Sequence, residues 1–173
     1  MDTSVTPEPK VAPELPEGPR HRHKRAVAIF TVILLAAQLV PVKRDNPAER
    51  GVPAMPISVR TILKRSCYDC HSNETSWPFY SYVAPISWVV AHHVHKGREH
   101  LNLSEWETLR PEQQRNALED VAMVLEDHVM PLPSYLLLHP KARLGQSERA
   151  LLSDWIQTAT TMEKRDKTTN RAD

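Results

Sequence analysis

With 173 residues, the chain has room for one ordinary domain plus tails. Its 22 Lys+Arg against 21 Asp+Glu give a net charge of +1, too balanced and too scattered for a nucleic-acid footprint. Two cysteines exclude a disulfide framework, which needs several pairs spread through the fold.

Proline is abundant, and two regions hold most of it: Pro7 to Pro19, and Pro41 to Pro56. Such stretches bury too little apolar surface to offset chain entropy, so they read as tail and linker. Residues 1–25 are expected to be a disordered cytoplasmic tail, closing with the basic cluster Arg20-His21-Arg22-His23-Lys24-Arg25. An uncharged apolar run of 17 residues follows, Ala26 to Val42, at the lower limit for crossing a bilayer core of about 30 Å. It lacks the polar face of a buried amphipathic helix. A cleaved signal peptide shares its basic flank and length. However, about 25 polar residues come first and no A-x-A site follows, so the expectation is an uncleaved transmembrane signal anchor over 26–42. Lys10, Arg20, Arg22, Lys24 and Arg25 precede the run; Lys43, Arg44 and Arg50 follow it. That bias favours a cytoplasmic N-terminus. The domain is then expected on the periplasmic side of a bacterial inner membrane, as a single-pass protein.

Residues 43–56 read as a Pro-rich linker, 57–162 as the folded domain and 163–173 as a second tail. Four helices are predicted in the domain. The first, Ile57 to about Ser66, puts Val59, Ile62 and Leu63 on one face. The second, Pro85 to about Glu99, carries the stripe Ile86, Val89, Val90, His93 and Val94. Ser104 with Glu107 has capping-box spacing and starts a short turn. The third helix runs from Pro111 to about His128, burying Ala117, Leu118, Val121, Val124 and Leu125. The fourth, N-capped by Ser147 and reaching about Met162, buries Leu151, Leu152, Trp155, Ile156 and Ala159. No segment alternates with period two, so the fold class is all-α.

Both cysteines fall in Cys67-Tyr68-Asp69-Cys70-His71, the attachment pattern for c-type haem. Two thiols on one helical turn can each add to a porphyrin vinyl group, and the adjacent histidine supplies the proximal nitrogen to iron. A redox-active Cys-x-x-Cys pair would want a strand before the motif, whereas a helix precedes it here. A structural zinc site wants four ligands. The sixth iron ligand is sought among methionines and histidines. Met1 is terminal, Met55 lies in the linker, Met162 ends the last helix, and Met123 reads as a gap-filling core residue. Met130 sits in Val129-Met130-Pro131-Leu132-Pro133, where prolines stiffen an extended backbone that can present a thioether, and it is the favoured ligand. His93, His128 and His139 are its rivals, while His92 and His95 read as solvated. Arg98, Trp77, Trp88 and Trp106 are candidate partners for haem propionates or, for the tryptophans, plain core.

Several motifs in one order carry a wider likeness. Cys67 to Thr75, Trp77-Pro78-Phe79-Tyr80-Ser81, Ala84-Pro85-Ile86-Ser87-Trp88, Gly97 to Asn102 and Met130-Pro131-Leu132-Pro133-Ser134-Tyr135 resemble the bacterial haem-binding domain family related to cytochrome c. The resemblance spans roughly residues 57–160, with Leu103 standing where an aromatic is expected. It implies a cytochrome c-like domain around one covalent haem c and supports Met130 as sixth ligand. The leading expectation is a membrane-anchored, periplasmic monohaem cytochrome, an electron carrier rather than an enzyme, serving redox partners such as respiratory complexes. A haem-based gas sensor and a haem subunit of a larger oxidoreductase are the alternatives.

Overall fold

The computed structural model describes residues 19–169, with side chains from 21 to 161. Parts of the expected tails, residues 1–18 and 170–173, lie outside this range. The described residues are helical with no strand among them, and the chain divides into two units after Val40.

The first unit contains α1, Pro19–Ala37. It begins earlier than the apolar run because the basic cluster, rich in Arg and Lys, consists largely of good helix formers. It ends earlier too. Gln38, Leu39 and Val40 make only i→i−3 turns, and Pro41 disfavours helix in the residue before it. The apolar part of α1, Ala26 to Ala37, is twelve residues and rises about 18 Å. Accordingly, no helix among the described residues is long and apolar enough to cross a membrane. The expected spanning helix over 26–42 is therefore replaced by a helix that stops five residues short of Val42.

In the second unit, residues 41–56 have no regular secondary structure, yet they are not a free linker. Arg44 Nη1 donates to Ser81 O at 3.0 Å, and Asn46 Nδ2 to Thr75 O at 2.9 Å. Backbone bonds tie Arg50 to Ser104 and Glu107, and Gly51 to Trp106. Trp155 Nε1 donates to Ala54 O at 3.1 Å. The expected linker is a strap laid on the domain. Gly51, at φ +83, turns it where a side chain would meet Glu107.

After the strap come α2 (Ile57–Ser66), the one-turn α3 (Tyr68–His71) and α4 (Ile86–His100). Next are α5 (Pro111–Glu126), α6 (Pro133–Leu138) and α7 (Gln146–Thr169). Short 3₁₀ turns occupy Phe79–Tyr82, Leu103–Thr108 and Pro140–Ala142. Helix α2 buries Val59, Ile62, Leu63 and Ser66, one i, i+3, i+4, i+7 face. These residues pack with Leu118 and Leu125 of α5, Leu152, Trp155 and Ile156 of α7, and Leu103 and Trp106. Each such side chain contributes about 1.5–3 kcal/mol on full burial.

Four expectations change. On α4 the buried residues are Ser87, Val94 and Gly97, while Ile86 and Val89 are about half exposed. Small residues face inward because this helix packs backbone-close. Ser147 is not the cap of α7: the helix starts at Gln146, and Glu148 reaches back to accept from the Gly145 N–H at 2.9 Å. The same helix continues to Thr169, past the boundary expected at 162. Asn102, not Ser104, caps the 103–108 turn, its Oδ1 accepting from Ser104 N at 3.1 Å.

Candidate functional site

Cys67 closes α2, its N–H donating to Leu63 O at 2.8 Å, and breaks the helix at φ −129. Its own carbonyl then accepts from Cys70 N at 3.2 Å and His71 N at 2.9 Å. The pentapeptide is thus a single helical turn, with Cys70 and His71 on it and Cys67 at its head.

Gly97 of α4 lies against that turn. A Cβ there would overlap the Cys70 carbonyl oxygen and come within 3.0 Å of Cys70 Cβ. Leu101, next after α4, supplies the carbonyl bonded to His71 Nδ1 at 3.1 Å. A carbonyl oxygen only accepts, so Nδ1 carries the proton and Nε2 keeps its lone pair. Burial lowers the His71 pKa, with hydrogen bonds to Leu101 and Gly97 opposing, which leaves the ring in its neutral, ligating form.

Both thiols are free. Burial, with Cys70 adding to it, pushes Cys67 up to about 12; burial, then the Asp69 carboxylate, pushes Cys70 up to about 11. At neutral pH both are protonated. A dithiol redox catalyst needs the reverse, a depressed thiol pKa.

The loop beyond the motif is fastened by Arg98. Its Nε donates to Ser72 O at 2.8 Å, Nη1 to Asp45 O at 3.0 Å, and Nη2 to Asn46 Oδ1 at 3.1 Å and Thr75 Oγ1 at 2.9 Å. Asn73 completes the fastening, bonded to Ala48 O, Glu105 Oε1, Asn102 and Ser104 Oγ. Arg98, expected as a propionate partner, is instead the clamp that ties strap, loop and α4 together.

Beside the turn is a cavity of about 480 Å³, within the usual range of about 300–1,000 Å³ for cofactor pockets. Cys67, Cys70, His71 and Met130 all line it. Its remaining lining is mostly apolar, from α2, α5, Trp106, Trp155 and the segment Pro131 to Tyr135. Met130 is half-buried after α5, ahead of α6. Among the histidine rivals, His93 lines the cavity, as does His100; His128 is exposed, and His139 stacks on Tyr135. Trp106 lines the cavity, but Trp77 and Trp88 do not. Met123, expected in the core, is 60% exposed at the cavity rim.

Sequence reasoning missed α6 and with it Tyr135. The signal was present: Pro133 suits the first helical position, and Ser134-Tyr135-Leu136-Leu137-Leu138 has no breaker. No group of three or more His, Cys, Asp or Glu among the described residues forms a metal site.

Comparison with known families gives one match: residues 32–158 correspond to a family described as a haem-binding domain. No curated protein and no solved structure matches the chain.

Proposed function

Because the chain belongs to the haem-binding domain family, we propose that it is a monohaem c-type cytochrome that transfers single electrons. One observation carries the reading: a single apolar cavity collects Cys67, Cys70, His71 and Met130. The residues fit haem chemically. His71 offers a neutral Nε2, oriented by the Leu101 carbonyl behind it, as a proximal ligand is. Each protonated thiol would add across one vinyl group, its sulfur bonding to one carbon and its proton passing to the neighbouring one, so the attachment would require no oxidant. Met130 provides a thioether, and a His/Met pair raises the potential of a haem relative to a bis-His pair. Once bound, the haem supplies a one-electron ferrous/ferric couple. With His71 and Met130 both holding the iron, neither oxidation state would need to take or lose a ligand. The apolar lining keeps water from the site and makes its electrostatics stiff.

We extend the proposal to a periplasmic domain tethered at the membrane, passing electrons to membrane redox proteins. Its support is the basic cluster before the uncharged run Ala26–Val42, together with covalent haem attachment, which bacteria carry out on the outer side of the cytoplasmic membrane.

The test is the optical spectrum of the full chain matured with a haem-attachment system. A covalent c-type spectrum, a near-infrared band from Met-to-ferric-iron charge transfer, and indifference to carbon monoxide are expected. Met130→Ala should abolish the band and admit carbon monoxide. Ready carbon monoxide binding by the unmodified protein would move the reading to a gas sensor or catalyst.

A further inference from the structure

Met130 belongs to a segment that packing alone does not hold. Helix α6 buries none of its residues, and Leu137 is 81% exposed. What fixes it is polar. Tyr135 lines the cavity and donates its phenol O–H to Asp69 Oδ2 at 2.6 Å. Asp69 lies between the two attachment cysteines, and it is immobilised from its own side as well. Ser76 N–H donates to Asp69 Oδ1 at 3.0 Å, and Thr75 Oγ1 donates to the Asp69 carbonyl at 2.8 Å.

The other end of α6 is braced too. His139 stacks on the Tyr135 ring at 4.2 Å and 15°. Its Nδ1 donates to Tyr135 O at 3.2 Å, which leaves Nε2 to accept from Tyr80 O–H at 3.3 Å. Three bonds therefore run in series from the 79–82 turn, through α6, to the cysteine motif.

We propose that Tyr135 is the positioning residue for Met130: its bond to Asp69 latches the Met130 segment onto the turn that carries the cysteines. The inference rests on the His71/Met130 reading. A thioether is a weak neutral ligand, so its hold on iron depends on being placed beforehand, and the latch supplies that placement from five residues away. Asp69 also makes the link specific, because a charged acceptor shortens and strengthens the phenol bond.

The experiment compares the matured full chain with Tyr135→Phe, which removes only the hydroxyl, and with Asp69→Asn, which retains an acceptor oxygen. Tyr135→Phe should keep its covalent haem, lose most of the near-infrared Met band and bind carbon monoxide at least about tenfold faster. Asp69→Asn should fall between that variant and the parent. Arg98→Ala, which loosens the motif loop and the Thr75 hydroxyl behind Asp69 but leaves the Tyr135–Asp69 bond itself in place, should lower the thermal midpoint and leave carbon monoxide binding slow. If Tyr135→Phe keeps the band and excludes carbon monoxide as the parent does, the latch is wrong while the ligand assignment stands. If the parent itself lacks the band, the ligand assignment fails, and the latch with it. Should Tyr135→Phe not mature, Asp69→Asn decides alone: a band and carbon monoxide rate equal to the parent's would overturn the inference.

Discussion

The cysteine turn and the Met130 segment line one cavity but are built differently. The turn is wedged against Gly97 without room for a methyl group, and the loop that follows it is fastened to the strap by four Arg98 hydrogen bonds. The Met130 segment has buried Pro131 and a chain of polar bonds through Tyr135 and His139. Such a contrast suits the two jobs of the proposed function. Covalent attachment and a proximal histidine need a surface fixed before the cofactor arrives, since near-ångström misplacement would separate thiols from vinyl groups. A thioether ligand needs only to be offered at the right place once the cofactor is held, and a few directional bonds achieve that with little buried area.

The sharpest way to break the contrast is at Gly97. Gly97→Ala drives a methyl into the Cys70 backbone, which cannot step aside without dragging the motif. We expect a loss of about 3 kcal/mol, or about 10 °C in thermal midpoint, and poor haem incorporation in pyridine haemochrome assays. Arg98→Ala comes next. It strands acceptors on Ser72, Asp45, Asn46 and Thr75 and should cost about 2–3 kcal/mol in chemical denaturation. Haem should still attach, because the turn itself is closed by Cys67. Glu148 lies in neither region and sets the scale of a bland change. Its pKa is lowered by the Gly145 N–H, then by Arg65. A carboxylate favoured in the fold adds stability above its ordinary value of 4.5, and that share is lost as pH falls through the lowered folded value. Glu148→Gln should flatten that acid limb of a denaturation series by less than about 1 kcal/mol.

Much of this architecture is legible in the residues. The bounds of α2, the α5 stripe and the packing of Leu152, Trp155 and Ile156 follow from period 3.6 alone. Cys67, Cys70, His71 and Met130, singled out by a motif and by flanking prolines, do line one cavity. What escaped is what depends on closeness in space. On α4, Ile86 and Val89 of the apolar stripe point outward while Val94 of the same stripe is buried with Ser87 and Gly97, a division set by close backbone approach that no hydropathy pattern encodes. Arg98 became a clamp because the strap returned to it, and its partner Asp45 is 53 positions away. The Tyr135–Asp69 bond likewise joins residues 66 apart.

The strap has one more consequence. Were residues 43–56 a free coil, their fourteen residues would give the domain a working radius of roughly 20 Å. Pinned at Arg44 by Ser81 and by the Tyr82 ring, 4.4 Å away, the strap has none of that reach. On the proposed function, a redox partner would meet a strap already laid down, and docking would not have to order it.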